Sequence, residues 1–136
     1  MAQATKQEVR QEKKWIRIAE TPGVGKVGIT EDVLAIMAGI AAMDVEGVAS
    51  INSNATRQLI AKIGIKSIAH GVHLKEKDGI VHVKMNLNLR YGCNATDVCS
   101  KVQERVKGAI ENMTGLAVKA VDVSIAGVEG PDKKSK

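Results

Sequence analysis

The sequence predicts an α+β protein folded as a two-layer sandwich, with two helices on one face of a mainly antiparallel four-stranded sheet, in the order βαββαβ. Three observations predict it. Two stretches with apolar residues at every second position flank Asp78-Gly79, a two-residue hairpin turn whose positions both tolerate positive φ. Helical periodicity occurs on each side of that hairpin, after Thr30 and after Asn94. A last alternating stretch, Leu116 to Ala126, follows the second helix. Helices separated by sheet strands can both lie on one sheet face, which makes a ferredoxin-like or related split β-α-β arrangement the leading topology. A chain of 136 residues, 44% of them hydrophobic, is the size of one domain with one core.

Taken in order, residues 1–22 read as a polar, flexible tail with some helical tendency from Val9 to Ile16, ending at Pro22 and Gly23. The domain is expected over 23–128. Val24 to Ile29 gives a short strand, and Thr30 caps a helix whose first turn carries Glu31 and Asp32 at the positive end of the macrodipole. Val33, Ile36, Met37, Ile40 and Ala41 fall on one side of this helix and are its predicted buried face, with Gly47 as its stop. From Ser50 to Gly71 the pattern loosens into a loop at Asn52, Ser53 and Asn54 and at most two helical turns from Thr56 to Ile63. The hairpin strands are Val72 to Lys77 and Ile80 to Tyr91. In the second, Val81, Val83, Met85, Leu87 and Leu89 alternate with His82, Lys84, Asn86, Asn88 and Arg90, so one face is buried and the other polar. The second helix starts at Asn94 to Asp97, carries Val98, Val102, Val106, Ala109, Ile110 and Met113 on one stripe, and ends at Gly115. In the last strand Val121, Val123 and Ile125 face the core, and 129–136 form a disordered, lysine-bearing tail.

Composition excludes several functions. Trp15 and Tyr91 are the only aromatic residues. Single-strand nucleic-acid platforms stack bases on two or three aromatics, and choline or methyl-lysine readers need an aromatic cage. A net charge of +5, spread along the chain without a like-charge block, fits a solvated surface. The longest nearly apolar run, Val33 to Met43, falls well short of the roughly 20 residues that span a bilayer, and Met1 to Glu20 lacks the apolar centre of a signal peptide. A cytoplasmic protein without direct membrane insertion is expected. Cys93 and Cys99 fit a reducing compartment and read as small packed side chains rather than redox partners.

Chemistry-bearing motifs are sparse, and no catalytic, cofactor-binding or metal-ligating residue is assigned. Gly23-Val24-Gly25-Lys26 lacks the length and the Ser or Thr of a phosphate loop and precedes its strand. Ser50, Ser53 and Ser100 sit in no nucleophile elbow. In the register set by Asp78-Gly79, His73 and His82 become diagonal neighbours on the polar sheet face, but their direct cross-strand partners are Lys84 and Lys75, whose charge opposes a divalent cation. Lys75, Lys77, Lys84 and Arg90 could touch phosphates, yet nothing reads bases, so nucleic acid is an unfavoured partner. The candidate interaction surface is the polar face: His73, Lys75, His82, Lys84, Asn86, Asn88 and Arg90, with Tyr91 at its end as either a core plug or a contact residue.

Certain stretches are more specific than their chemistry requires. Gly25-Lys26-Val27-Gly28-Ile29-Thr30 leading into Val33 to Ala42, Val45-Glu46-Gly47-Val48-Ala49, Arg90-Tyr91-Gly92, Val102 to Lys107, and Ile110 to Leu116 with Val118 to Val123 and Gly127-Val128 resemble the alkaline-shock-protein family of Gram-positive bacteria over roughly residues 24–128. The resemblance implies a non-enzymatic stress or cell-envelope homeostasis protein that self-associates, without cofactors. It also implies docking to a protein partner, in some members an integral membrane protein that holds them near the membrane. Gly47, Gly92, Thr114 and Gly115 belong to the motif and read as structural corners. A nucleic-acid-binding accessory protein and a regulatory partner of a cytosolic biosynthetic enzyme are the alternatives.

Overall fold

The computed structural model describes residues 15–51 and 71–130. Along these the order is β1 (Trp15–Thr21), β2 (Gly25–Thr30), α1 (Glu31–Met43), β3 (Val48–Ile51), β4 (Val72–Lys77), β5 (Ile80–Arg90), α2 (Ala95–Thr114) and β6 (Ala117–Glu129). The fold class is as the sequence predicts: two helices cover one face of a four-stranded, mainly antiparallel sheet. The short helix expected from Thr56 to Ile63 lies outside the described residues, as do residues 1–14 and 131–136.

β5 organises the sheet. Its five alternating apolar residues, Val81, Val83, Met85, Leu87 and Leu89, are all buried, and they face Leu34, Ala38 and Ala42 of α1 and Val102, Val106 and Ile110 of α2 in one cluster. Along one edge of β5, β4 pairs antiparallel with Ile80 to Met85 and β3 pairs antiparallel with Leu87 to Leu89, so the two short strands share that edge end to end. Along the other edge β6 runs parallel to the whole of β5. Asp78 and Gly79 take φ of 55° and 81°, as the hairpin turn requires, and the Gly79 N–H donates to Glu76 Oε2 at 2.7 Å.

Within the class, the chain's path differs from expectation in several places. Residues 15–21 are not tail: β1 pairs antiparallel with β2 as a separate two-stranded ribbon, and Ile16 is buried in the main core. The strand before α1 therefore belongs to the ribbon, and its place in the sheet is taken by β3, too short to show a pattern of its own. The strands flanking α2 are adjacent and parallel, so the crossover is a plain β-α-β rather than a split one. β6 also runs on to Glu129, one residue beyond the expected end of the domain.

The buried face of α1 differs as well. Leu34, Ala35, Ala38, Gly39, Ala41 and Ala42 point inward, while Val33 and Ile40, expected in the core, are 44% and 47% exposed. The helix is apolar on nearly every side, so periodicity did not single out a face. Alanine and glycine let the helix approach the sheet and α2 closely, and packing density selects that side. Thr30 is the expected N-cap, its Oγ1 accepting from the Val33 N–H at 3.3 Å. Asp44 closes the helix and pairs with Arg105 of α2, so the C-terminal cap is three residues earlier than Gly47.

Candidate interaction surface

The face of the sheet away from the helices is built by the residues that alternate with the core. His73, Lys75 and Lys77 of β4, His82 and Lys84 of β5, and Lys119 of β6 are exposed on three adjacent strands. The register is the one the turn imposes: Lys75 opposite His82, His73 opposite Lys84, and Lys77 opposite Ile80. Strands about 4.8 Å apart place these side chains within one patch. Asp122, beside Lys84 on β6, is the acidic residue of that patch. A hollow of about 610 Å³ continues round the β4 edge to Glu31 and Asp32 at the start of α1.

The other end of the same face is internally satisfied. Asn88 Nδ2 donates to Ser50 Oγ at 2.9 Å, and Ser50 Oγ donates to Glu129 Oε2 at 3.1 Å, a chain that ties β5, β3 and β6 together. A Cβ on Gly127 would stand 2.7 Å from Asn88 Oδ1, so the glycine leaves room for that amide. Asn86 and Asn88 are half-buried. Sequence reasoning grouped all these polar residues as one surface; the structure separates a cationic half from a half that holds the strands together. Ser50 and Glu129 were missed because the first sits in an unforeseen strand and the second beyond the expected domain end. Tyr91 is 71% exposed, which removes the core-plug reading.

The four motif residues sit at turns and helix ends. Gly92 and Gly115 have φ of 99° and 79°, and Gly115 caps α2 in the left-handed conformation with its N–H on the Glu111 carbonyl. Thr114 is buried; its Oγ1 donates to the Ile110 carbonyl at 2.6 Å and accepts from the Leu116 N–H at 3.1 Å. Gly47 combines φ of 103° with a Cβ position only 2.7 Å from Val98 Cγ2.

At the start of α2, Asn94 caps the helix by accepting from the Asp97 N–H at 3.1 Å. Cys93 precedes the cap, and it and Cys99 are partly buried against the core. Burial pushes the Cys99 thiol above its ordinary pKa, and the neighbouring Cys93 adds to the shift. The thiol of Cys99 is therefore less nucleophilic than a free one at neutral pH. No group of three or more His, Cys, Asp or Glu suited to a metal ion occurs among the described residues, and none of their helices is long and apolar enough to cross a membrane.

The described residues form a small α+β sandwich with one sheet face covered by helices and the other open and cationic. The chain belongs to the alkaline shock protein 23 family, whose described role is a cell envelope-related function; the family pattern matches residues 19–130. Spy1535 of Streptococcus pyogenes serotype M6 is 31% identical over 121 residues, covering 85% of this chain and 92% of that protein. YqhY of Bacillus subtilis (strain 168) is 28% identical over 110 residues, covering 81% and 82%, and YloU of the same organism is 30% identical over 106 residues, covering 76% and 88%. All three are described only as uncharacterized proteins. Among solved structures, a MamM CTD variant matches at a TM-score of 0.46 and 12% identity, over 72% of this chain and 96% of that one.

Proposed function

We propose that this protein is a non-catalytic component of cell-envelope stress homeostasis that self-associates and docks an acidic surface of a protein partner on its open sheet face, the partner being anchored in the membrane. The observation that carries the reading is the patch formed by His73, Lys75, His82, Lys84 and Lys119 on strands whose opposite side is locked into the core. Such a patch is rigid, so little ordering entropy is lost when a partner lands on it. Its charge favours acidic partners and fast, salt-sensitive association. Membership of an envelope-related family supports the setting.

The test is cross-linking in the native cell followed by capture with and without detergent, comparing the wild-type chain with Lys75→Glu/Lys84→Glu. Both positions are exposed, so the variant is expected to melt as wild type does. Recovery of an acidic protein that needs detergent, lost in the variant, supports the proposal. Recovery of nucleic acid in its place, with a steep salt dependence in vitro, would move the assignment to an accessory nucleic-acid-binding protein.

A further inference from the structure

One strand of the open face carries an extra residue. β6 buries both Val118 and Val121, which strict alternation along a strand does not allow. A bulge resolves the conflict: Val118 lies in register with Val81 and Val121 with Val83, so Lys119 and Ala120 together oppose His82. Bulges re-aim side chains and are rare between parallel strands. This one leaves Lys119 exposed on the open face, where it borders the same hollow as Lys75 and His82.

The floor of that hollow is apolar. Ile80, the first residue of β5, is 44% exposed and stands opposite Lys77 of β4. It points the same way as His82 and Lys84, two and four positions on, and among the described residues it is the one large apolar side chain on this face. The hollow around it has a volume of about 400 Å³ and is walled by Lys75, Lys77, His82 and Lys119. The two acids at its rim belong to the hairpin turn: Glu76 accepts from the Gly79 N–H at 2.7 Å, and Asp78 is the turn residue before that glycine.

An apolar floor inside a ring of cations is the arrangement of a binding hot spot, in which a polar rim keeps water from the central contact. Lysine suits such a rim, because its aliphatic stem covers apolar surface while the ammonium stays wet. We propose that the hollow takes one large apolar side chain from an acidic segment of the partner protein, with Ile80 beneath it and Lys75, Lys77 and Lys119 paired with carboxylates on either side. The choice of occupant rests on charge complementarity and on shape. Ammonium groups in this number call for carboxylates or phosphates. A nucleic-acid backbone offers phosphates but nothing to bury against isoleucine, and a lipid surface is entered by apolar side chains that protrude, whereas Ile80 lies below longer neighbours. An acidic peptide supplies both groups at a fitting interval: Lys75 and Lys77 are about 7 Å apart along β4, the same step that separates alternate side chains of an extended segment. The proposal rests on the acidic-partner reading above and adds a specificity to it, since acidity without an apolar anchor leaves the floor uncovered.

The test titrates two labelled peptides with the full chain and follows fluorescence anisotropy, with methyl NMR on Ile80. One peptide alternates Asp and Glu around a central Leu, and the other has Ser in place of that Leu. Wild type is expected to bind the Leu peptide about fivefold or more tightly than the Ser peptide, with the Ile80 methyl signals shifted. Ile80→Thr, which keeps the β-branched shape, is expected to bind the two alike, and Lys77→Gln/Lys119→Gln to weaken both. Thermal melting checks that each variant is folded. If wild type binds both peptides equally and the Ile80 signals stay in place, the anchor is overturned and the acidic-partner reading stands. If neither peptide binds at about 1 mM chain but phosphatidylglycerol vesicles do, and Ile80→Thr releases them, the occupant is a lipid surface and the peptide assignment is overturned. If neither peptide nor vesicle binds, the site assignment falls, and the proposed function falls with it only when capture from the cell also fails.

Discussion

Thr114 shows how a polar residue at a corner can be indispensable without touching any ligand. Its hydroxyl links the last carbonyl-bearing turn of α2 to the first amide of the following stretch. Thr114→Val keeps the shape but leaves the buried Leu116 N–H without its acceptor, a loss of about 1–3 kcal/mol in urea unfolding, whereas Thr114→Ser retains the bridge and recovers most of it. Tyr91 gives the opposite case. A core tyrosine cut to alanine would cost about 3 kcal/mol or more, but at 71% exposure Tyr91→Ala is expected to change stability by less than about 0.5 kcal/mol. Any loss of partner capture by that variant then reports contact rather than folding. The sequence marked Thr114 as a structural corner but left Tyr91 open between core plug and contact residue, because local pattern does not reveal whether a residue just past a strand end turns inward or outward.

At the scale of elements, legibility followed the strength of the local signal. The hairpin was readable because Asp78-Gly79 fixes the register and β5 alternates without a break, and α2 because its apolar stripe stands against charged flanks. β1 carried a readable pattern too: Ile16 and Ile18 alternate with Arg17 and Ala19. Its charges made it resemble a solvated tail, and its pairing with β2 could not be seen in either strand alone. The inward face of α1 was hidden by an excess of apolar residues rather than a lack of them. Since Ile16 is 3% exposed and sits in the main core cluster, Ile16→Ala is expected to destabilise the domain by about 2–5 kcal/mol. Trp15→Ala, at a side chain 67% exposed, is expected to have a much smaller effect, measured in the same denaturant series. A tail would predict no effect from either.

For the molecule as a whole, the question is whether the ribbon and the sandwich form one cooperative unit. Among the described residues they are separate sheets, with no strand of one paired to the other. They are nevertheless joined by side chains: Ile16 lies in the cluster that contains Val83, Met85 and Ile110, Ile18 and Ile29 pack against it, and Thr30, the last residue of β2, is the cap of α1. Loss of the ribbon would expose that side of the core and uncap the helix, so neither sheet keeps its stability without the other. The sparse aromatic content makes this testable without labels. Trp15, the only tryptophan, sits on β1 with its ring against Gly28 of β2, and its emission reports the ribbon. Far-ultraviolet circular dichroism reports α1 and α2. For a single cooperative unit, the two signals trace one transition with the same midpoint and slope, and Ile16→Ala moves both together. If the tryptophan signal instead melts at lower denaturant while the helical signal is unmoved, β1 and β2 are an appendage, and the domain begins at α1.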